Sequence, residues 1–181
     1  MYALYPIINN ALTYGAILGQ IFIVVALILF LLKKDFLVKT VGKHGIAFAF
    51  GTAIIAMLGS LYYSDVALFT PCKLCWYQRI LMYPLVFLFG SALVRKTRDI
   101  IPYGIFLSLI AVPIATYHSY IQLVQRSTGV DRCAVTGGAS CSEVYFLHFG
   151  YITIPSLALT AFLMIITFLL LAVAYDKKVR N

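Results

Sequence analysis

Five apolar segments constrain this chain more than any other feature. They lie at about Thr13–Leu32, Gly45–Tyr63, Trp76–Val94, Ile100–Ile121 and Ile154–Ala174. Each is near the roughly 20 residues a helix needs to cross the hydrocarbon core. Inside lipid every backbone amide must be satisfied within the segment, so such runs become helices. Hydrophobic residues make up 62% of the 181 and charged residues 11%, against about 45–50% and 25% in soluble domains. The expected fold is therefore an all-α integral membrane protein, a four-helix transmembrane bundle with one additional N-terminal transmembrane helix. Residues 1–44 would carry the extra helix and a basic loop, and residues 45–181 the bundle.

The net charge of +8 raises the question of nucleic acid. Its distribution answers otherwise. Ten of the fourteen basic residues fall in three clusters: Lys33, Lys34, Lys39 and Lys43; Arg95, Lys96 and Arg98; Lys177, Lys178 and Arg180. Each abuts an apolar run, as the positive-inside rule places orienting charges beside spans. Contact with membrane lipid, and no nucleic acid, is the expectation. With these clusters cytoplasmic, the chain starts outside and ends inside, and the loops Ser64–Cys75 and Gln122–Thr153 lie outside. The first twelve residues hold no Lys or Arg and no small-residue cleavage site follows, so the first run is expected to persist as a span. Its Gly15, Gly19 and Gln20 also fit a segment lying along the interface.

All four cysteines, Cys72, Cys75, Cys133 and Cys141, fall in the two outer loops. Disulfides persist outside the cytosol, and paired external cysteines often serve only as staples. Three details favour redox exchange instead. Cys72-x-x-Cys75 closes too small a ring to add much as a staple. Cys75 would stand in the first turn of a helix beginning near Trp76, where unpaired N–H groups favour a thiolate. Arg79 is four residues further on the same face, where it could stabilise that thiolate or hold a polar head group. Standing alone it would equally fit a cation snorkelling to the headgroups, but beside the Cys-x-x-Cys pair the functional role is favoured. A zinc ribbon would carry a second Cys-x-x-Cys, and a covalent haem would need His where Trp76 stands.

His118 and Gln122 form an i, i+4 pair near the outer end of the fourth segment. A histidine within a span marks either a functional site or a bond between helices. His44 and His148 receive no role. Most of the thirteen Phe and thirteen Tyr belong to core or interfacial belts.

The run Cys72-Lys73-Leu74-Cys75-Trp76-Tyr77-Gln78-Arg79, followed by Thr116-Tyr117-His118-Ser119-Tyr120-Ile121-Gln122-Leu123, then by Cys133 and Cys141, then by Phe149-Gly150-Tyr151-Ile152-Thr153-Ile154-Pro155, resembles the DsbB/BdbC family of bacterial disulfide-bond-formation membrane proteins. The resemblance spans about Gly45 to the C-terminus. It implies a four-helix bundle in the bacterial cytoplasmic (inner) membrane that reoxidises a DsbA-like thioredoxin-fold thiol oxidase and passes the electrons to quinone, ubiquinone or menaquinone. By the same resemblance Cys75 is the quinone-proximal thiolate, and Arg79 helps to bind quinone. Cys133 receives the partner's attack, Cys141 exchanges with Cys72, and His118 lies near the quinone. The segment Thr13–Leu32 is not part of that four-helix core. A membrane scaffold with purely structural disulfides, a carrier of reductant across the membrane and a vitamin K epoxide reductase-like enzyme are the competing readings. The Gln78-Arg79 pair speaks against the last of these.

Overall fold

The computed structural model describes residues 4–32, 34–128 and 140–180. Cys133, one of the predicted site residues, lies outside them. Among the described residues six α-helices follow in order: α1 (Leu4–Leu31), the short α2 (Phe36–Thr40), α3 (Gly45–Leu61), α4 (Lys73–Arg95), α5 (Ile101–Thr128) and α6 (Ile154–Arg180). Among the described residues five helical stretches are long and apolar enough to cross a membrane, so the chain is an all-α, multi-pass membrane protein.

Helices α3, α4, α5 and α6 pack as a ring, each against its two neighbours, and α1 packs on the outside against α6. The ring closes on side chains with no solvent exposure: Leu85 and Phe89 from α4, Ala111 and Ala115 from α5, Phe162 and Ile165 from α6. In lipid there is little hydrophobic gain from helix pairing, so close packing at small residues does the work. Gly45 shows this, because a Cβ there would lie 2.5 Å from the Phe168 carbonyl of α6.

Helices α4 and α5 run through Pro84 and Pro113 without a break, as packed transmembrane helices tolerate. Two ends differ from the expectation. Helix α4 starts at Lys73, not near Trp76, because Cys72 caps it: the Cys72 sulfur accepts the Cys75 backbone N–H at 3.4 Å. Helix α5 continues to Thr128, past the point where hydropathy falls, and Gln122 uses the extra turns to donate to the Glu143 carbonyl at 2.8 Å.

The cysteine end of the bundle is closed by aromatics. After α3 a wide π turn, Tyr62–Val66, turns Tyr63 into the protein. Tyr63 stacks on Phe69 and Phe146 at 5.9 and 5.4 Å, and Phe69 stacks on Tyr145 at 4.3 Å. These contacts fasten the loop after α3 to the loop before α6. At the opposite, basic end, Arg98 ties three segments together. It donates to Asp176 at 2.5 Å and to the Lys43 carbonyl at 2.6 Å, and its guanidinium lies 5.6 Å from the Tyr175 ring centre.

Candidate functional site

Cys72 and Cys75 stand at the mouth of α4 with their sulfurs 3.0 Å apart, well beyond the ~2.05 Å of a disulfide. Cys72 is buried and Cys75 is partly open. The contact between the sulfurs, then burial, pushes the Cys72 thiol up to about 12.

Buried His118, from α5, organises the site. The Cys141 carbonyl lies 3.0 Å from its Nε2, and a carbonyl only accepts. Nε2 therefore carries the hydrogen, and in the neutral ring Nδ1 accepts, here from the Gln78 amide at 3.0 Å. The same Nε2 is 3.6 Å from the Cys72 sulfur. One imidazole thus contacts the Cys-x-x-Cys motif and the backbone of the second cysteine loop. Cys141 is packed with Cys72 and Ile121, beside Cys75.

Arg79 turns toward α3. Its Nε donates to Ser60 Oγ and its Nη2 to the Ser60 carbonyl, each at 2.9 Å, while its guanidinium lies 5.4 Å from the Trp76 ring centre. The fork fixes a cation one turn below Cys75.

Beside these groups a cavity of about 420 Å³ opens, with Cys75, Arg79, His118 and Cys141 among its lining residues. Its walls continue along apolar positions of α4 and α6, including Met82, Phe162 and Met164. The volume falls within the ~300–1,000 Å³ of small-ligand sites, and a few polar atoms at one end of an apolar cleft are the usual arrangement. The site also offers three possible metal donors, the sulfurs of Cys72 and Cys75 and an imidazole nitrogen of His118, all within 4.8 Å of one another.

Structure thus brings together Cys72, Cys75, Arg79, His118 and Cys141. Sequence reasoning missed Gln78 and Ser60 as partners; Gln78 stood inside the quoted motif, while Ser60 carried no signal.

Residues 42–172 match the family model of the disulfide bond formation protein DsbB. The chain belongs to the DsbB family. It is 44% identical to disulfide bond formation protein C of Bacillus subtilis over 132 residues, 71% of this chain and 94% of that one. It is 44% identical over 113 residues to a probable disulfide formation protein of Oceanobacillus iheyensis, 62% of this chain and 77% of the relative. A probable disulfide formation protein of Coxiella burnetii is 37% identical over 140 residues, 77% of this chain and 95% of its own. No solved structure matches the chain. Membership makes it a disulfide-forming oxidoreductase of the membrane, and α1 precedes the DsbB match entirely.

Proposed function

We propose that this protein reoxidises a DsbA-like thioredoxin-fold thiol oxidase outside the cytoplasm and delivers the two electrons to membrane quinone. The net reaction takes a partner dithiol and a quinone to a partner disulfide and a quinol. The observation that carries the reading is the adjacency of Cys75 and Arg79 on an apolar cavity at the helix mouth. The cavity suits a small ring with an apolar substituent, since its polar groups gather at one end. Quinone, when bound there, supplies a two-electron, two-proton sink.

The chain's own steps are thiol–disulfide exchanges through mixed disulfides. The partner's thiolate attacks Cys133 of an oxidised Cys133–Cys141 pair, and Cys141 leaves as a thiolate. Cys141 then attacks Cys72 of an oxidised Cys72–Cys75 pair and releases Cys75 as a thiolate facing the cavity. The second partner thiol displaces Cys133, whose thiolate recovers Cys141 and returns Cys72 as a thiol. Cys72 and Cys75 are then the reduced pair, and they are reoxidised as two electrons leave to the acceptor. Nε2–H of His118 lies 3.6 Å from the Cys72 sulfur, where it can hydrogen-bond the thiolate as the exchange releases it. Arg79, held by Ser60, offers a fixed positive charge beside Cys75 and the acceptor's polar end. A DsbA-type partner near −120 mV is a strong oxidant, so an acceptor with a large pull is needed. Under the positive-inside rule, the N-terminus and cysteine loops face outward and the C-terminus inward.

The test mixes purified protein, reduced thioredoxin-fold thiol oxidase and ubiquinone or menaquinone analogues without oxygen. Quinone absorbance should fall by one equivalent per partner disulfide formed. Partner oxidation without any quinone loss would reject the reading.

A further inference from the structure

We infer that helix α1 forms the lipid-side wall of the acceptor cavity and that the apolar tail of the quinone leaves past Gly15; this rests on the function proposed above. Four residues of α1, Ala11, Leu12, Gly15 and Ala16, line the same cavity as Cys75 and Arg79. Facing them from α3 are Thr52, Ile55 and Gly59. Along α4 the lining runs from Cys75 to Tyr83, a rise of about 12 Å. A cavity of about 420 Å³ holds a substituted ring and the start of a tail, so a long tail must pass out through a wall.

The geometry identifies which wall. Helix α1 packs chiefly on α6. Near the cysteine end Leu12 reaches Gly59, with its methyl 3.3 Å from where a Gly59 Cβ would lie. One turn further along α1 the contact stops: a Cβ on Gly15 would meet nothing within 4 Å. Ala11 and Gly15 are exposed on that side, and Ile55 of α3 is 60% exposed. In a membrane that exposure faces acyl chains. The cavity therefore opens toward lipid between α1 and α3, beside the smallest side chains of its lining.

Helix α1 is held there by polar bonds within an otherwise apolar span. Buried Asn9 accepts from Tyr63 at 2.7 Å and donates to His148 Nε2 at 3.0 Å. Gln20 donates to Thr160 at 3.0 Å and accepts from Tyr151 at 2.7 Å. Polar side chains in spans point inward to such partners, and these two sets bracket Ala11 to Ala16. They fix the wall rather than merely park a spare helix.

The experiment compares a long-tailed quinone with a tailless analogue, using the full chain in lipid nanodiscs. Gly15→Trp should raise the ratio of the two KM values by about tenfold or more, since it fills the exit and not the ring site. Gly15→Leu should give a smaller change in the same direction. Leu18→Trp, on the lipid face of the same helix and outside the cavity lining, should leave both KM values as they were. Equal effects of Gly15→Trp on both quinones, or no effect of either Gly15 variant, would overturn the inference. Wild-type protein that reduces neither quinone would instead reject the function on which it rests.

Discussion

The Nε2 atom of His118 lies 3.6 Å from the sulfur of Cys72 while bonded at 3.0 Å to the carbonyl of Cys141. A single side chain thereby couples the two cysteine loops, and the Gln78 amide donates to its Nδ1 from the far side. His118→Ala removes both the anchor of the Cys141 loop and the hydrogen-bond donor beside Cys72. Partner oxidation should slow by about tenfold or more, the size of one lost hydrogen bond to a charged sulfur, while KM for quinone changes less. Steady-state kinetics with each substrate varied separately checks this.

The contact with Cys75, then burial, raises the Cys72 thiol well above an ordinary thiol. Its thiolate fraction near neutral pH is therefore far below that of an ordinary thiol. Thiolate is the reactive form, and Cys72 is also the more buried of the two. In the reduced protein at pH 7–9, alkylation read by peptide mass mapping should therefore mark Cys75 before Cys72. Raising the pH across that window should leave Cys72 slow.

Arg79 is held as a fork by both the hydroxyl and the carbonyl of Ser60. Lysine has the charge without the planar fork. Arg79→Lys should raise KM for quinone several-fold, and Arg79→Met by about tenfold or more, the size of one lost charged contact. Ser60→Ala keeps the carbonyl contact and should cost less than either. An unchanged KM in Arg79→Met would remove the arginine from the acceptor site.

At the other end of the bundle, Arg98 joins Asp176 and the carbonyl of Lys43. Arg98→Ala should lower stability by about 1–3 kcal/mol, because two bonds to a charged group are lost. Thermal unfolding in detergent should show a reduced midpoint, with quinone turnover at 20 °C close to wild type, since the cysteines lie at the opposite end.

Much of this arrangement was legible in the residues. Long apolar runs specify spans because lipid leaves the backbone no other partner, and Cys75 to Arg79 is one helical turn whatever the tertiary fold. What was not legible depends on distance in sequence. Gln78 and His118 are forty residues apart, and nothing local announces that they bond. Ser60 sits in an apolar helix with no pattern around it. Helix α1 is apolar over most of its length, and its seat shows in the few polar residues of one face, Asn9, Thr13 and Gln20, of which Asn9 and Gln20 bond to the bundle. The extra turns of α5 were hidden for a related reason: Gln122 and Arg126 read as loop, yet they bond to the Glu143 and Gly150 carbonyls.

The central claim is that Cys75 hands electrons to quinone. Its most direct test is a single-turnover mixing experiment on wild type and Cys75→Ser, following quinone absorbance and trapping mixed disulfides by acid quench. Wild type should consume one quinone per partner oxidised; Cys75→Ser should still form the mixed disulfide with the partner but consume none. Normal quinone reduction by Cys75→Ser would contradict the account.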